Sequence, residues 1–433
     1  MRSSRLFEDI LRCVEAHPGS GLDELAAAMH YSKYHLHHLF SDTAGISPGE
    51  YILRRRLTRA ARQLTDSGTS ILDIALSCGY ESRQAFTSAF KDAYHCTPDR
   101  YRRSRRFYPL QPMTEAGVLV FAKALSAMTG KESGKMNSQG SMTALMSAFG
   151  RAWHCANEAT PVFADDRARA LFSDEEYAFM RSCILNGRDF FAPGLSGTDE
   201  EVLRAIVNES IAPTPLCRAA YCEAALETAE KTGTVQYVML GAGMDTFAFR
   251  NTSFVGRHPV YEVDHPSTQG DKLRRIARAG WRVPENLHFV GMDFAKDSLA
   301  EKLLAAGFDP TKKTLFSWLG VSYYLAREEI DAFLGQLSTL CAEGSSLVFD
   351  YADQWLFEAE ERRVKNMIAL ACSSGEPMKS CFSRAELARL LEAHGFLVYE
   401  ELSPAQIQAE LIGQRCPDMT AFEHIHYVLA VRK

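Results

Sequence analysis

An apolar run, QYVMLG, leads into Gly241-Ala242-Gly243-Met244-Asp245-Thr246, and about twenty residues later a second apolar run closes on the acidic pair Glu262 and Asp264. Glycines in such a turn let a ligand approach the backbone, and a carboxylate at the end of the next strand accepts from both hydroxyls of a ribose. The third glycine of the dinucleotide fingerprint is absent, with Thr246 in its place, so the helix start is not shaped for close pyrophosphate packing. Asp245 in the loop would repel a diphosphate and accept well from an ammonium or hydroxyl group; the alternative is that it caps the helix behind the loop. A third run ends at Asp293, placed to accept from an adenine amine. Taken together, these groups fit S-adenosylmethionine, leaving S-adenosylhomocysteine after transfer, better than NAD.

Methyl transfer from a sulfonium asks the protein to align the acceptor and exclude water rather than to supply much acid–base machinery. A carboxylate or thiolate acceptor needs no base, whereas a phenol or alcohol does. The candidates are Tyr324 and Tyr323, just past a predicted fourth strand, and His265, just past the ribose carboxylate. No metal is predicted: there is no C-x-x-C pair among the eleven cysteines, and His154, His424 and His426 lack ligand spacing.

The elements that must position these groups alternate. Strands are predicted over 236–241, 259–264, 287–293, 314–321, 346–351, 396–402 and 425–431, with helical stretches between most of them and about ninety helical residues before the first. Seven strands so arranged fit a doubly wound α/β sheet.

The first hundred residues are a repeat at an offset of fifty: Ser32 falls on Ser82, Leu36 on Phe86, Phe40 on Phe90, Pro48 on Pro98 and Tyr51 on Tyr101. Each copy reads as a short helix, a tight turn supplied by His30-Tyr31 or by Gly79, and a second helix opened by a serine N-cap, which is helix-turn-helix grammar. The helix over 48–64 joins the copies, its Arg54, Arg55, Arg56, Arg59 and Arg62 able to meet phosphate or solvent.

The segments YSKYHLHHLF, GISPGEYILRRRL, SILDIALSCGYES, AFTSAFKDAY and TPDRYRR resemble the AraC/XylS regulators in their MarA, SoxS and Rob branch. That resemblance implies two recognition helices entering successive major-groove segments of double-stranded DNA. Carried onto this chain, its base-facing residues are Tyr34, His37 and His38 in the first copy and Arg83, Gln84 and Ser88 in the second. His37 and His38 depart from the Gln and Arg frequent there, and His95 stands where a glycine is common.

From Met142 to Lys433 the chain resembles the leucine carboxyl methyltransferase-like enzymes, on SMTALMSAFGRAWH, VFADDRARALF, LCRAAY, VMLGAGMDTFAFR, YEVDHPSTQGDK, VGMDF, SWLGVSYYL and HYVLAVRK. The resemblance implies a class I, Rossmann-like methyltransferase in which Arg218 meets the cofactor carboxylate and Gly241, Ala242 and Gly243 line its amino-acid end. It further implies Asp264 on the ribose and Asp293 with Phe294 on the adenine. Leu319 holds the cofactor-side position where many relatives have an acid, so one polar contact is expected to be missing.

With 433 residues, 46% of them hydrophobic, the chain is long enough for two or three domains. Residues 1–108 hold 16 Lys and Arg against 12 Asp and Glu, a net +4, and the remainder a net −10, so the polyanion-binding part is the first. No run of eighteen apolar residues occurs, and no secretory signal is read at the N-terminus, so a cytoplasmic protein without a membrane partner is expected. The expected architecture is an all-α double helix-turn-helix domain over 1–108 and a linker over 109–140 with one possible helix over 116–128. A seven-stranded α/β methyltransferase domain follows over 141–433, its first part, 141–232, a helical cap. The expected function is a transcription regulator that also methylates a small-molecule oxygen or sulfur acceptor; the alternative is a regulator whose methyltransferase-like domain senses a ligand without turnover.

Overall fold

The computed structural model describes residues 2–17, 19–112, 118, 119, 121–123, 141–294 and 296–433, with side chains from Leu6 onward. Most of the stretch 109–140, and with it most of the expected helix over 116–128, lies outside the described residues; 118, 119 and 121–123 are helical. The chain forms two compact units. One holds Met1–Ala127 together with Asn186–Gly194 and Glu360–Lys379, and the other holds the rest. Those two short segments come from inside the stretch expected to be a single C-terminal domain.

The first unit contains helices α1 (Arg2–Ala16), α2 (Leu22–Ala28), α3 (Lys33–Ala44), α4 (Pro48–Asp66), α5 (Ile71–Ser77), α6 (Arg83–Tyr94) and α7 (Pro98–Ser104). Both recognition helices start on a serine that accepts from the backbone three residues on, Ser32 from His35 at 3.1 Å and Ser82 from Ala85 at 3.2 Å, which satisfies an otherwise orphaned N–H. The preceding turns need left-handed backbone, at His30 (φ 56°) and Gly79 (φ 78°). At Gly79 a Cβ would lie 2.5 Å from the Gly19 carbonyl oxygen, so glycine alone fits there. Phe7, Leu36, Phe40 and Tyr51 fill the first copy's core, and Phe86, Phe90, Tyr94 and Tyr101 the second's.

The arginines of α4 correct one expectation. Arg55 turns inward, its Nε and Nη2 each 2.6 Å from the Glu15 carboxylate and its Nη1 donating to the Gln111 carbonyl at 2.8 Å. Arg59 shares Glu15, and Arg56 donates to the Gly19 carbonyl. A carboxylate forty residues upstream and a bare carbonyl thus claim three guanidinium groups that the helix pattern alone assigned to phosphate or solvent.

The second unit opens with helices α8 (Met142–Asn157) and α9 (Asp174–Asn186), the latter followed in the first unit by α10 (Arg188–Phe191). Helices α11 (Asp199–Ile206) and α12 (Pro213–Lys231) then lead into the sheet. Its strands are β1 (Gln236–Leu240), β2 (Val260–Asp264), β3 (Leu287–Gly291), β4 (Thr314–Trp318), β5 (Ser346–Ala352), β6 (Phe396–Leu402) and β7 (Ile425–Arg432), in the order β3-β2-β1-β4-β5-β7-β6. All neighbours are parallel except β7, which runs antiparallel to both β5 and β6. The order reverses beside β1, where α13 (Phe247–Arg250) follows, and ligands of such sheets sit at the carboxyl ends of the strands near that point. Helices α14 (Pro266–Arg278), α15 (Leu299–Ala305) and α16 (Arg327–Ser338) follow β2, β3 and β4. Helices α17 (Arg362–Ser373), in the first unit, and α18 (Arg384–Ala393) follow β5. Strands β1, β3 and β4 stop one to three residues before the predicted ends, which leaves Gly241, Asp293 and Leu319 in loops at the carboxyl edge.

Candidate functional site

Backbone geometry explains the glycines. Gly241 (φ 78°) and Gly243 (φ 52°) are both left-handed, and a Cβ on Gly241 would sit 2.6 Å from Val321 Cγ2. The N–H groups of Gly241 and Ala242 both donate to the Val263 carbonyl, at 2.8 and 3.2 Å, folding the loop against the end of β2. There Asp264 accepts from the Gly243 N–H at 2.5 Å and from the His265 N–H at 2.6 Å. Burial raises its pKa, and those two donors oppose the shift. One carboxylate thus fixes the glycine loop while standing at the strand end where a sugar is expected.

The other residues of the motif divide their work. Asp245 accepts from the Phe247 N–H at 2.6 Å, so its Oδ1 caps α13, the alternative left open above. Glu262 points with Asp264 off the same face of β2 and is engaged by Lys272 of α14 in a pair almost wholly inside the protein. Burial pushes Glu262 up to about 7 against the pull of Lys272, and its Oε1 has no hydrogen-bond partner. Asp293 accepts from Lys296 Nζ at 2.7 Å, and Phe294 packs against the sheet core with its ring 6.3 Å from that of Phe333. Phe333 in turn stacks on Trp318 at 4.5 Å within the core on that side of the sheet.

Arg218 of α12 lies at the end of β4. Its Nη1 is 3.4 Å from both Asp350 Oδ2 and the Tyr323 hydroxyl, and its Nη2 is 3.5 Å from Ser147 Oγ. All three contacts are long for a guanidinium, so it retains donor capacity for an incoming carboxylate. Gly320 (φ 71°) makes room for it, since a Cβ there would overlap the guanidinium. The Gly320 N–H donates to Asp350 Oδ1 at 2.6 Å. Leu319 is half-buried in the same loop, and the buried acid beside Arg218 comes instead from Asp350 on β5.

Of the three candidate bases, Tyr323 is buried, and desolvation with Asp350 nearby pushes its phenol well above the ordinary 10. Its hydroxyl lies 3.4 Å from Arg218 Nη1 and 3.5 Å from Asp350 Oδ2. The His265 ring is an N-cap, its Nδ1 accepting from the Ser267 N–H at 3.3 Å. Tyr324 is half-buried, with its ring 4.8 Å from that of Tyr323.

The sequence pattern did not reveal what supports the loop. Arg151 of α8 donates from Nη2 to the Met244 carbonyl at 2.6 Å and from Nε to Asp165 at 2.8 Å. Asp165 also accepts from Thr246 at 2.6 Å, and Arg250 joins Thr246 Oγ1 at 2.9 Å and Glu223. Burial would raise Asp165, but Arg151 and Arg250 hold it below the usual carboxylate range. The signal lay in AFGRAWH and VFADDR, where charged residues interrupt apolar helix-forming text.

Among the described residues one trio has atoms close enough to hold a metal ion, His154, Glu158 and Cys416. The Val162 N–H donates to His154 Nε2 at 2.9 Å, which places the ring proton on Nδ1 and leaves neither nitrogen with a lone pair for an ion. His424 pairs with Asp353 at 2.9 Å, and His426 lies 3.4 Å from both Asp353 and Glu401.

In the first unit, Tyr34, His37 and His38 are exposed on the side of α3 opposite Leu36 and Phe40, and Arg83, Gln84 and Ser88 are exposed on α6. The Tyr34 ring lies 4.2 Å from that of His38, and Arg83 pairs with Asp99 at 3.1 Å.

Two family models match, that described as leucine carboxyl methyltransferase over residues 144–338 and that described as helix-turn-helix domain over residues 25–104. The chain is 42% identical over 301 residues to a putative S-adenosyl-L-methionine-dependent methyltransferase, YktD, of Bacillus subtilis, covering 68% of this chain and 99% of that protein. It is 38% identical over 106 residues to the probable transcription factor PqrA of Proteus vulgaris, covering 24% of this chain and 87% of that one. A solved AraC-type DNA-binding-domain regulator from Chromobacterium violaceum is 29% identical and covers 24% of this chain and 96% of its own, with a TM-score of 0.22. The chain therefore belongs to the leucine carboxyl methyltransferase family of S-adenosylmethionine-dependent enzymes and carries an AraC-type helix-turn-helix domain ahead of that part.

Proposed function

We propose that the C-terminal part binds S-adenosylmethionine at the carboxyl edge of β1, β2 and β4 and methylates a small-molecule carboxylate or thiolate, while the N-terminal part binds duplex DNA. The observation that carries the first half is the pairing of Arg218, a guanidinium with loose partners, with Asp264, a carboxylate fixed against a side-chain-free glycine loop. A pyrophosphate would meet the carboxylates of Asp245 and Asp264 at the glycine loop and be repelled.

In this reading Arg218 takes the cofactor carboxylate, and Gly241, Ala242 and Gly243 let its amino-acid end approach the backbone. Asp264 accepts from the ribose hydroxyls, and Asp293 with Phe294 borders the adenine. When bound, S-adenosylmethionine supplies a methyl group on a sulfonium for in-line displacement. Tyr324, beyond β4, borders the acceptor. Tyr323 stays protonated and His265 caps a helix, which favours acceptors that arrive already ionised. The Trp318, Phe333 and Phe294 rings exclude water from the strand ends.

On the DNA side, Arg83 and Gln84 have the chemistry to read guanine and adenine edges, and Tyr34, His37 and His38 face the first groove segment. No described helix is long and apolar enough to cross a membrane. A second reading, a regulator that senses the ligand without turnover, is favoured by Leu319 in place of the acid expected beside the cofactor.

The test is calorimetric titration of the full chain with S-adenosylmethionine, followed by transfer of labelled methyl to panels of carboxylic acids, thiols and phenols. Binding with transfer to an acid or thiol is expected. Binding with no transfer to any class supports the sensor reading, and absence of binding overturns both.

A further inference from the structure

Helices α3 and α6 belong to the same compact unit and are built alike. Each runs for 12 residues from a serine cap, Ser32 or Ser82, and each buries one side, through Leu36 and Phe40 in the first copy and Phe86 and Phe90 in the second. The offset of fifty therefore makes the outward positions equivalent as well: Lys33 falls on Arg83, Tyr34 on Gln84, His35 on Ala85, His37 on Thr87 and His38 on Ser88. What separates the copies is the chemistry at those positions.

Charge does not separate them. Each first turn carries one cation paired to a carboxylate of another helix, Lys33 with Asp23 at 2.9 Å and Arg83 with Asp99 at 3.1 Å, and such exposed pairs open at little cost. Donor geometry does. The Arg83 guanidinium is a planar fork that meets guanine O6 and N7 together, and the Gln84 amide meets adenine N6 and N7, whereas the Lys33 ammonium is a point charge and the Tyr34 phenol a single hydroxyl. A neutral imidazole has one donor and one acceptor on ring nitrogens that point apart, so the two do not meet one base edge together. The α3 rings also pack on one another: Tyr31 stacks on His35 at 5.4 Å, Tyr34 lies 4.2 Å from His38, and His37 lies 6.1 Å from His38. With Tyr34 74% exposed, α3 presents a strip of phenol and imidazole and has no arginine, asparagine or glutamine along its length.

We propose that sequence discrimination is concentrated in the half-site under α6, read at purine edges by Arg83 and Gln84, while α3 holds its half-site through ring contacts and single hydrogen bonds that tolerate base changes. Aromatic rings gain contact area against any base pair, thymine methyls included, so α3 adds affinity with little selectivity. The target duplex is thereby asymmetric and is bound in one orientation. The inference rests on the DNA-binding reading above, and the experiment tells their failures apart.

The full chain selects duplexes from a random pool, and fluorescence anisotropy at physiological salt then gives Kd for the selected duplex and for versions with either half-site scrambled. Selection with Arg83→Ala identifies the α6 half-site as the one where a preference disappears. Scrambling that half is expected to raise Kd roughly thirtyfold or more, as two bidentate contacts are lost, and scrambling the other half less than about threefold. Tyr34→Ala, and His37→Ala with His38→Ala, are expected to weaken binding by the same factor whatever the bases of the α3 half-site. Lys33→Arg with Tyr34→Gln is expected to add a preference there on renewed selection. Equal losses from the two halves, a larger loss from the α3 half, a base-dependent loss in the α3 variants, or an Arg83→Ala chain that keeps every preference overturns the division. A Lys33→Arg, Tyr34→Gln chain that selects the same sequences as the wild type overturns its assignment to these positions. A chain that binds no duplex at all overturns the DNA-binding reading instead.

Discussion

Replacing Asp264 by asparagine tests whether one carboxylate sets both the glycine loop and the sugar. Its two oxygens accept from different backbone donors, Oδ2 from Gly243 at 2.5 Å and Oδ1 from His265 at 2.6 Å. An asparagine of the same shape has one acceptor oxygen, so its NH2 must face one of those N–H groups. The loss is one charge-assisted hydrogen bond, about 1.5–3 kcal/mol, plus a donor turned against a donor. At about 1.4 kcal/mol per decade, the cofactor Kd is expected to rise roughly 10- to 150-fold. Asp264→Ala, which also removes every acceptor for the ribose, is expected to cost roughly a thousandfold or more. Calorimetry on the full chain without DNA reads both, and DNA affinity measured without cofactor serves as the folding control and is expected to be unchanged. An asparagine variant within twofold of wild type refutes the reasoning, because an isosteric amide would then suffice where two donors demand two acceptors.

Other expectations follow from the same contacts. Arg83→Ala should weaken DNA binding by about 1–3 kcal/mol and relax preference at one base pair while leaving cofactor calorimetry unchanged; a uniform loss across sequences would make Arg83 a phosphate contact instead. Glu15→Ala strands Arg55 inside the first unit, so urea unfolding followed by DNA binding should show about 3 kcal/mol lost, and a loss under about 1 kcal/mol would mean the guanidinium finds water. Burial would lower the pKa of His426, but Asp353 and Glu401 raise it to about 8, above the 6.5 of the unfolded chain. The folded state then holds the extra proton between those values, so this contribution is complete below about pH 6.5 and fades as pH rises through about 8. It amounts to about 2 kcal/mol, and His426→Gln should flatten that part of a stability–pH curve measured by thermal melting.

What the sequence made legible was local. Gly241, Gly243 and Asp264 announce themselves because left-handed turns need glycine and a strand end needs only a few residues of text. The helix-turn-helix halves do so because each copy repeats the grammar of the other, down to the serine caps. What stayed hidden depends on residues that meet only after folding. Arg151 and Asp165 stand fourteen residues apart and reach Thr246 and the Met244 carbonyl, about ninety residues away, so no window contains the set. The α4 arginines misled for the same reason, since nothing near them in the chain announces Glu15.

The site at Arg218 shows how such a gap changes a functional argument. Read along the chain, Leu319 removes an acid from the strand-four motif and with it a polar contact. In three dimensions an acid stands there anyway: Asp350, on the neighbouring strand, accepts from the Gly320 N–H and lies beside the guanidinium. The motif has lost a carboxylate, whereas the space around Arg218 has not. That carboxylate stands on β5, fully buried beside the guanidinium. Leucine at position 319 thus leaves Arg218 its buried acid, supplied by the neighbouring strand.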